Sequence, residues 1–536
     1  MHDRDDLDRA RPSAKAPVSR RSFLQGAGTT AIGAGVGAGV VAATNQPAGR
    51  ALRAEPAADI SSQPLPSNFG RMFPSLPPFA QPSDALRTAL VDIGKPGGVL
   101  DANDNLAAGP VQLITDPNLN LVNRNNPGHT AGTTFLGQFL DHDLTFDTTS
   151  TLGVPTEPTR SPNARTPILD LDSLYGGGPQ ASPQLYQSSD RAKLRIDSGG
   201  QFEDLPRDAN QRAIIADPRN DENVIIAGLQ AAFIKFHNRV VDKVRADGTS
   251  SSLVFLDARL RVTRHYQWIV VKEFLPQIVG QAVIDDIFRN GRRFYRPPLL
   301  AYMPVEFQGA AYRFGHSMVR PSYRANMKGD NGQPFFGMIF DPAGEGQADP
   351  VDLRGGARAS RRFIGWQTFF DFGDGEVKPN KRIDAVLSTP LFNLPLGAIA
   401  SGDPPTSLPQ RNLLRHVTWS LPSGQAIAGA MGVPKLGAGD LGELANYGLG
   451  LQTSTPLWYY VLKEAQVMTD GLTLGPVGAR IVAEVFLGVL QLDVFSYLNQ
   501  PRWRPTLPQR SAQVTGDFRM VDLLTYAKVD PASRGQ

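Results

Sequence analysis

Long segments of this chain repeat apolar residues at three- and four-residue intervals, and that rhythm leaves few folds open. From Val224 to Val244 the stripe is Ile226, Leu229, Phe233 and Val240, the pattern of a helix that buries one face. Leu256 to Phe274 repeats it through Leu260, Val262, Trp268, Ile269 and Val271, and should end before Pro276, because proline has no backbone donor. Thr455-Pro456 reads as an N-cap followed by proline at the first helical position, opening Leu457 to Val467. Pro476 opens another apolar helix through Ala483, Val485, Leu487 and Leu490. Alternating, strand-like runs are scarce and no repeat period is present. The expected fold is mainly α: one large helical domain with long ordered loops and few short strands. The 53 glycines and 44 prolines supply those loops, and Pro64 to Pro82 reads as an arm that wraps the domain. Residues 59–536 are expected to form this single domain, although the length would permit two.

Residues 1–58 read as an address. Ser19-Arg20-Arg21-Ser22-Phe23-Leu24 precedes an uncharged run to Ala43 that holds six glycines and six alanines. That run is too weakly apolar for a spanning helix. Adjacent arginines before a mild apolar stretch resemble a twin-arginine export signal. The alternative is a plain basic tail. Export by the twin-arginine machinery implies a periplasmic or extracellular bacterial protein that folds before it crosses and keeps no stable membrane span. Small residues between Ala42 and Ala58 offer several cleavage points.

The chain has no cysteine and seven histidines. Without thiolates it cannot build disulfides, iron–sulfur clusters, cysteine-ligated zinc, thiolate-bound haem or a cysteine nucleophile. Soft-metal or redox chemistry falls to His2, His129, His142, His237, His265, His316 or His416. The formal charge is +3, but residues 1–58 hold eight Lys+Arg against five Asp+Glu, which leaves 46 of each in the remainder. A balanced domain gives no electrostatic argument for nucleic acid.

Three segments carry candidate chemistry. In Gly137-Gln138-Phe139-Leu140-Asp141-His142-Asp143-Leu144, Gln138 and His142 are i,i+4 neighbours on a helix and Asp141 lies at their edge. Asp143 points about 100° further round, towards a different site. Alone, this is compatible with a polar helix face. Asp217-Pro218-Arg219-Asn220-Asp221-Glu222 puts Arg219 and Glu222 at i,i+3 spacing in a first helical turn, equally compatible with a solvated cap. Tyr312-Arg313-Phe314-Gly315-His316 presents a single histidine that on its own suits a core position.

In this order the three segments resemble those of the animal-type haem peroxidases of the peroxidase–cyclooxygenase superfamily, and the resemblance extends over nearly everything after the leader. Thr166-Pro167-Ile168-Leu169-Asp170-Leu171-Asp172 resembles that family's calcium loop. Arg411-Asn412-Leu413-Leu414-Arg415, followed by Leu421-Pro422-Ser423, resembles its late Asn-x-x-Arg segment. The resemblance implies a haem b cofactor with His316 as proximal iron ligand and Asn412 accepting that histidine's other N–H. It implies His142 as the acid–base group for peroxide, Arg219 as fixed positive charge at the departing oxygen, and Gln138 ordering the distal side. Arg313 and Arg415 would meet the haem edge or propionates, and Asp141 and Glu222 would form ester links to it. A calcium ion would be held by Asp143, Asp170 and Asp172 with oxygens of Thr166 and Ile168. Hydrogen peroxide and small reducing substrates would be its reactants.

Two departures refine the expectation. Asn223 follows Glu222 where the strongly chlorinating relatives carry methionine, so bromide, iodide, thiocyanate or phenols should be preferred to chloride. After Arg415 the usual run is replaced by His416-Val417-Thr418-Trp419-Ser420, which leaves His416 structural. His237 and His265 read as core or capping residues, and His129 as exposed. Two rival functions remain. A fatty-acid dioxygenase of the same superfamily would need a tyrosine at the Arg313 position; Tyr312 is one residue off and should turn away. A secreted haem-binding or adhesion protein would rest on Lys328-Gly329-Asp330.

Overall fold

The computed structural model describes residues 68–510 and 516–536, so the expected export segment lies outside the described residues. The elements that frame the site are α1 (Ala131–Leu144), α2 (Val224–Ala246), α3 (Val254–Ile269), α4 (Leu275–Val279), α5 (Leu408–Thr418), α6 (Leu457–Thr469) and α7 (Pro476–Leu492). All sheets among the described residues are two-stranded, as a mainly α fold with few short strands requires. β1 (Asn125–Thr130) runs straight into α1 and pairs antiparallel with a later strand, Pro379–Lys381. β2 (Ser322–Asp330) and β3 (Gln333–Met338) form a hairpin. Its two-residue tip, Asn331-Gly332, has positive φ at both positions, the preferred chemistry for such a turn. Lys328-Gly329-Asp330 is the last part of β2.

Asn223 sets the start of α2. Its side-chain oxygen accepts from the N–H groups of Ile225 (3.1 Å) and Ile226 (2.9 Å), satisfying donors that a helix start leaves open. Lys243 and Arg245 fall in the last turn, where cations suit the helix dipole. α2 is long and apolar enough to cross a bilayer, but 83% of its apolar window is buried within the protein. It packs along α1 and α3. Phe139 of α1 stacks on Phe233 of α2 with centroids 4.6 Å apart, and Tyr266 of α3 stands edge-on to both. Such pairs add about 0.5–1.5 kcal/mol each beyond burial, and they hold α1 in place. Buried apolar residues from Phe69 to Val529 form one continuous core.

The Pro-rich arm is pinned where it is described. Met72 and Phe73 donate from their backbones to the buried Glu306 carboxylate (2.9 and 3.0 Å), and Phe79 to the Leu421 carbonyl (2.8 Å).

Three local expectations need correction. The helix through Leu256 does not end before Pro276. A π turn, Val270–Phe274, links α3 to α4, and Pro276 takes the second position of α4. There its missing N–H costs little, and the wider π turn gives its ring room. Thr455 is not the N-cap of α6; Pro456 occupies that position, and the Thr455 hydroxyl donates to Leu451 O. His416 serves the helix start instead, its Nε2 accepting the Trp458 N–H at 2.9 Å while Nδ1 donates to Asn412 O. His129 is buried rather than exposed, because its Nε2 reaches the Gln277 carbonyl at 2.7 Å and Nδ1 meets Asn126.

α7 is apolar on nearly every side and buried accordingly. Its first turn is capped from α6 by Glu464, which accepts from Val477 N (2.9 Å) and Gly478 N (3.3 Å). Burial pushes the Glu464 carboxyl up to about 7. A pKa raised on folding gives stability that is full below the unfolded pKa and is lost as pH rises through the folded one. The wild type is therefore expected to lose roughly 1–3 kcal/mol relative to Glu464→Gln between pH 5 and 8, measured by denaturant unfolding. Parallel stability curves would contradict this.

Candidate active site

α1 projects Gln138, Asp141 and His142 into one cavity of about 730 Å³ that His316, Arg313 and Arg415 also line. That volume suits a cofactor-sized ligand. The first turn of α1 lies so close to Phe369 and Phe370 that a Cβ on Gly132 would come within 2.6 Å of the Phe370 ring. Glycine is therefore required there for α1 to sit at this depth.

The buried His142 has its Nδ1 2.7 Å from the Asn220 amide oxygen. That oxygen can only accept, so Nδ1 carries the proton and Nε2 keeps a lone pair. Burial, and then the Arg219 charge, push the imidazole down to about 4, so it is neutral near pH 7. Arg219 lies in a 3-10 turn, Pro218–Asp221, that precedes α2, rather than in the first turn of the helix itself. Asp217 grips it through Nε (3.0 Å) and Nη2 (2.8 Å), the Thr145 carbonyl accepts at 2.6 Å, and the guanidinium stands 4.3 Å over Phe146. Asp217 is fully buried and also takes Arg165 Nε at 2.8 Å. Burial alone would raise its carboxyl; the Arg219 and Arg165 guanidiniums overcome that and hold it well below the usual range.

Glu222 follows the turn, and its carboxyl accepts from Gln138 Nε2, whose Oε1 in turn accepts from Asn223 at 3.3 Å. Burial pushes Glu222 up to about 8 in spite of Arg219. Asp141 is partly open to the cavity, accepts from Thr145 Oγ1 at 3.1 Å and lies 3.9 Å from Arg219 Nη1.

On the other wall, His316 closes a second 3-10 turn, Ala311–His316. Burial, with Arg313 and Arg415, pushes its imidazole down to about 3, so it too is neutral. Asn412 on α5 faces it as expected, but with the amide nitrogen, 2.7 Å from Nδ1. Its oxygen points instead to Arg313 Nη1 at 3.4 Å. The sequence reading, in which Asn412 accepts from His316, is thus reversed in this conformation, because the guanidinium draws the oxygen away. Arg415 pairs with Asp147 at 3.0 Å. Arg313 makes no ion pair among the described residues; it donates to the Gln308 carbonyl at 2.8 Å. Burial and Arg415 bring it down to about 9.

Tyr312 does not turn away. It stacks on Phe307 at 4.6 Å, lines the cavity and donates to the Gly137 carbonyl at 3.0 Å.

Behind His142, Asp143 points away from the cavity into a second cluster. Ligand oxygens of Asp143, Asp170 and Asp172 lie within 4.8 Å of one another. Asp143 accepts from Leu171 N, Ser173 Oγ and Tyr266 OH. Asp172 accepts from Thr166 N and Oγ1 through Oδ2, while its buried Oδ1 has no hydrogen bond. Burial and mutual repulsion raise Asp143 strongly, and burial brings Asp172 to about 7. Leu171 between them holds φ +61°, a strained conformation for a branched residue. The Thr166 and Ile168 carbonyls are each used once, by Ile168 N (2.7 Å) and Asp170 N (3.1 Å), and each keeps a second lone pair.

Several supporting residues escape a reading by motif. Asp217 and Asn220 flank Arg219 in the quoted segment but read there as caps. Arg207 clamps Asp221 at 2.7 and 3.0 Å and Gly356 O at 2.9 Å. Gly355 lies so tightly on the turn that a Cβ would be 1.5 Å from Asp221 O. Neither has a local signal.

The sequence model of the animal haem peroxidase family matches residues 147–343, a stretch that includes Arg219, Glu222, Arg313 and His316. Thyroid peroxidase of Rattus norvegicus is 28% identical over 194 residues, covering 31% of this chain and 20% of that protein. Peroxidasin homolog pxn-1 of Caenorhabditis elegans is 26% identical over 180 residues, covering 30% of this chain and 14% of that protein. The chain thus spans a fifth or less of the length of these two relatives. Peroxidase A from Dictyostelium discoideum shares the fold, with a TM-score of 0.52 at 17% identity over 80% of this chain and 88% of that one. The chain is thus similar in sequence to the animal haem peroxidases over part of its length, and shares its mainly α fold with Peroxidase A over most of it.

Proposed function

We propose that this chain is a haem peroxidase that reduces hydrogen peroxide and oxidises small organic donors or halides and pseudohalides. The observation that carries this reading is that one cavity holds two neutral histidines: His142 with a free Nε2 base, and His316 with its Nδ1 against the Asn412 amide. The donor set fits a haem b. His316 would hold iron through Nε2, which requires the Asn412 amide to rotate and offer its oxygen to Nδ1–H. Arg313, a partly buried cation with no ion pair among the described residues, fits a propionate, with Arg415 beside it. Bound haem supplies the redox step on peroxide. His142 Nε2 takes a proton from one peroxide oxygen and returns it to the other, while Arg219 stabilises the charge on the departing oxygen. Asp217 and Phe146 keep that guanidinium in place.

The test is the absorption spectrum of the haem-loaded protein during titration with peroxide and donor. A Soret band that shifts with peroxide and recovers with bromide, iodide, thiocyanate or a phenol supports the reading; a band indifferent to peroxide overturns it. Asn223 is committed to capping α2, and robust chlorination at neutral pH would contradict the halide preference. Tyr312 on the cavity wall favours one second reading, a fatty-acid dioxygenase, which predicts oxygen uptake with linoleate in the absence of peroxide.

Asp141 and Glu222 both border the cavity; joining a carboxyl oxygen of either to a haem methyl would release two protons and two electrons, which hydrogen peroxide would take up as it is reduced to water. Acid–butanone extraction is expected to leave haem mass on the protein, lost stepwise in Asp141→Asn and Glu222→Gln; free, unmodified haem from the wild type would exclude the links.

The clustered carboxylates fit a calcium ion, since a hard cation would relieve the repulsion that Arg165 and Arg259 at its edge leave and would bind Asp172 Oδ1, which has no hydrogen bond. Chelation is expected to cost about 2–4 kcal/mol of stability and to loosen α1, read by thermal unfolding with and without added calcium. An Asp172→Asn protein that still responds fully to calcium would remove this site. Export by the twin-arginine route completes the proposal.

A further inference from the structure

We propose that Asn220 and Gln230 form a buried amide relay that fixes the tautomer of His142, which makes Asn220 a positioning residue for the reaction at that site. This deepens the peroxidase reading and rests on it only for the catalytic consequence. Asn220 and Gln230 are both buried, at 0% and 1% exposure. The Asn220 backbone is locked in the 3-10 turn by its N–H to Asp217 O at 3.0 Å. Its side chain has two ends with opposite hydrogen-bonding character. The Nδ2 end donates to Gln230 Oε1 at 2.9 Å, and in this orientation the oxygen end faces His142 Nδ1, 2.7 Å away. Gln230 rides on α2, whose start is fixed by the Asn223 cap.

The opposite amide orientation would donate to Nδ1, drive the ring proton onto Nε2 and leave no base in the cavity. The other charged groups facing the ring do not decide this. Arg219 directs Nε and Nη2 to Asp217 and to the Thr145 and His142 carbonyls, and Nη1 towards Asp141, none of them to the ring. Asp217 is taken up by Arg219 and Arg165, and Asp141 accepts from Thr145. An amide oxygen also orients the ring without placing a negative charge against it, as a carboxylate in the same position would.

The experiment combines the imidazole 15N shifts of His142, in the haem-loaded ferrous carbonyl protein (which is diamagnetic), with the rate of peroxide consumption. The wild type is expected to show the Nδ1–H tautomer. Asn220→Ala and Gln230→Leu should mix the tautomers, and Asn220→Ala should slow peroxide consumption by about 10–100-fold, the scale of losing a partner that orients a functional histidine. Asn220→Asp keeps an accepting oxygen and should restore the Nδ1–H tautomer, while its negative charge against the ring should move the pH profile of the rate. An Nε2–H tautomer in the wild type overturns the relay, whether or not any variant folds. So does an Asn220→Ala protein with the wild-type tautomer and rate. An Nδ1–H tautomer lost in Asn220→Ala, in a protein that never consumes peroxide, supports the relay while sinking the peroxidase reading.

Discussion

Replacing His142 by alanine is expected to leave haem bound and to slow peroxide consumption by about 10²–10⁴-fold, the usual contribution of a positioned acid–base group. Retention of haem follows from the division of labour in the cavity: the proposed iron ligand, His316, and the cation Arg313 belong to a different turn from α1. The loss of rate follows because, among the described residues, the other titratable groups beside His142 are already engaged. Asp141 is bonded to Thr145, Glu222 is held up at about 8 by burial and bonded to Gln138, and Arg219 is a permanent cation. The alanine also opens space beside Asn220, so added imidazole should recover part of the rate. Stopped-flow mixing with peroxide measures both effects. Peroxide kinetics unchanged from wild type would remove His142 from the reaction and the proposed mechanism with it.

The residues that sequence spacing brought together are those whose geometry survives a change of helix type. Gln138 and His142 are one α-turn apart and share a face of α1, while Asp143, a further step round, joins Asp170 and Asp172 on the far side. Arg219 and Glu222 were expected in an α-helical turn and lie in and after a 3-10 turn, yet both still reach the cavity, because residues three apart eclipse in that geometry. Tyr312 failed the same logic. Its direction is set by stacking on Phe307 and by the carbonyl of Gly137, which no spacing rule contains. His129 was misjudged because a Gly/Asn-rich context says nothing about the distant Gln277 carbonyl that buries it. Arg207 and Gly355 act across 14 and 134 positions on the Asp221 turn, and partnerships of that kind exist only once the chain has folded. The apolar stripe of α2, by contrast, was legible to within two residues at its end, since burial of one face is a local property of the sequence.

Asp217→Ala should be the most damaging substitution for stability near the cavity, at about 3–5 kcal/mol, the cost of stripping one partner from a buried ion pair. The reason lies in what remains. Asp217 is fully buried and shared by two guanidiniums, Arg165 at 2.8 Å and Arg219 at 3.0 and 2.8 Å. Its removal leaves both cations in a low-dielectric region with hydrogen bonds only to carbonyls, Ala216 O for Arg165 and Thr145 O and His142 O for Arg219, and with their remaining carboxylates, Asp172 and Asp141, at 3.7 and 3.9 Å. Asp217→Asn preserves shape and one acceptor but not charge, so it should fall between wild type and alanine. Adding Arg165→Leu to Asp217→Ala removes one stranded cation and should recover part of the loss, a coupling that a double-mutant cycle reads directly. Catalysis should weaken as well, because Arg219 keeps its charge but loses the clamp that fixes it, and Arg219 contributes only if it is already in position when charge develops on the departing oxygen. Denaturant unfolding of the five proteins, the Arg165→Leu single variant included, measures the first effect and peroxide kinetics the second. A stable Asp217→Ala protein with full peroxide turnover would mean that Phe146 and the two carbonyls suffice to hold the guanidinium, and that the buried carboxylate is dispensable to the site.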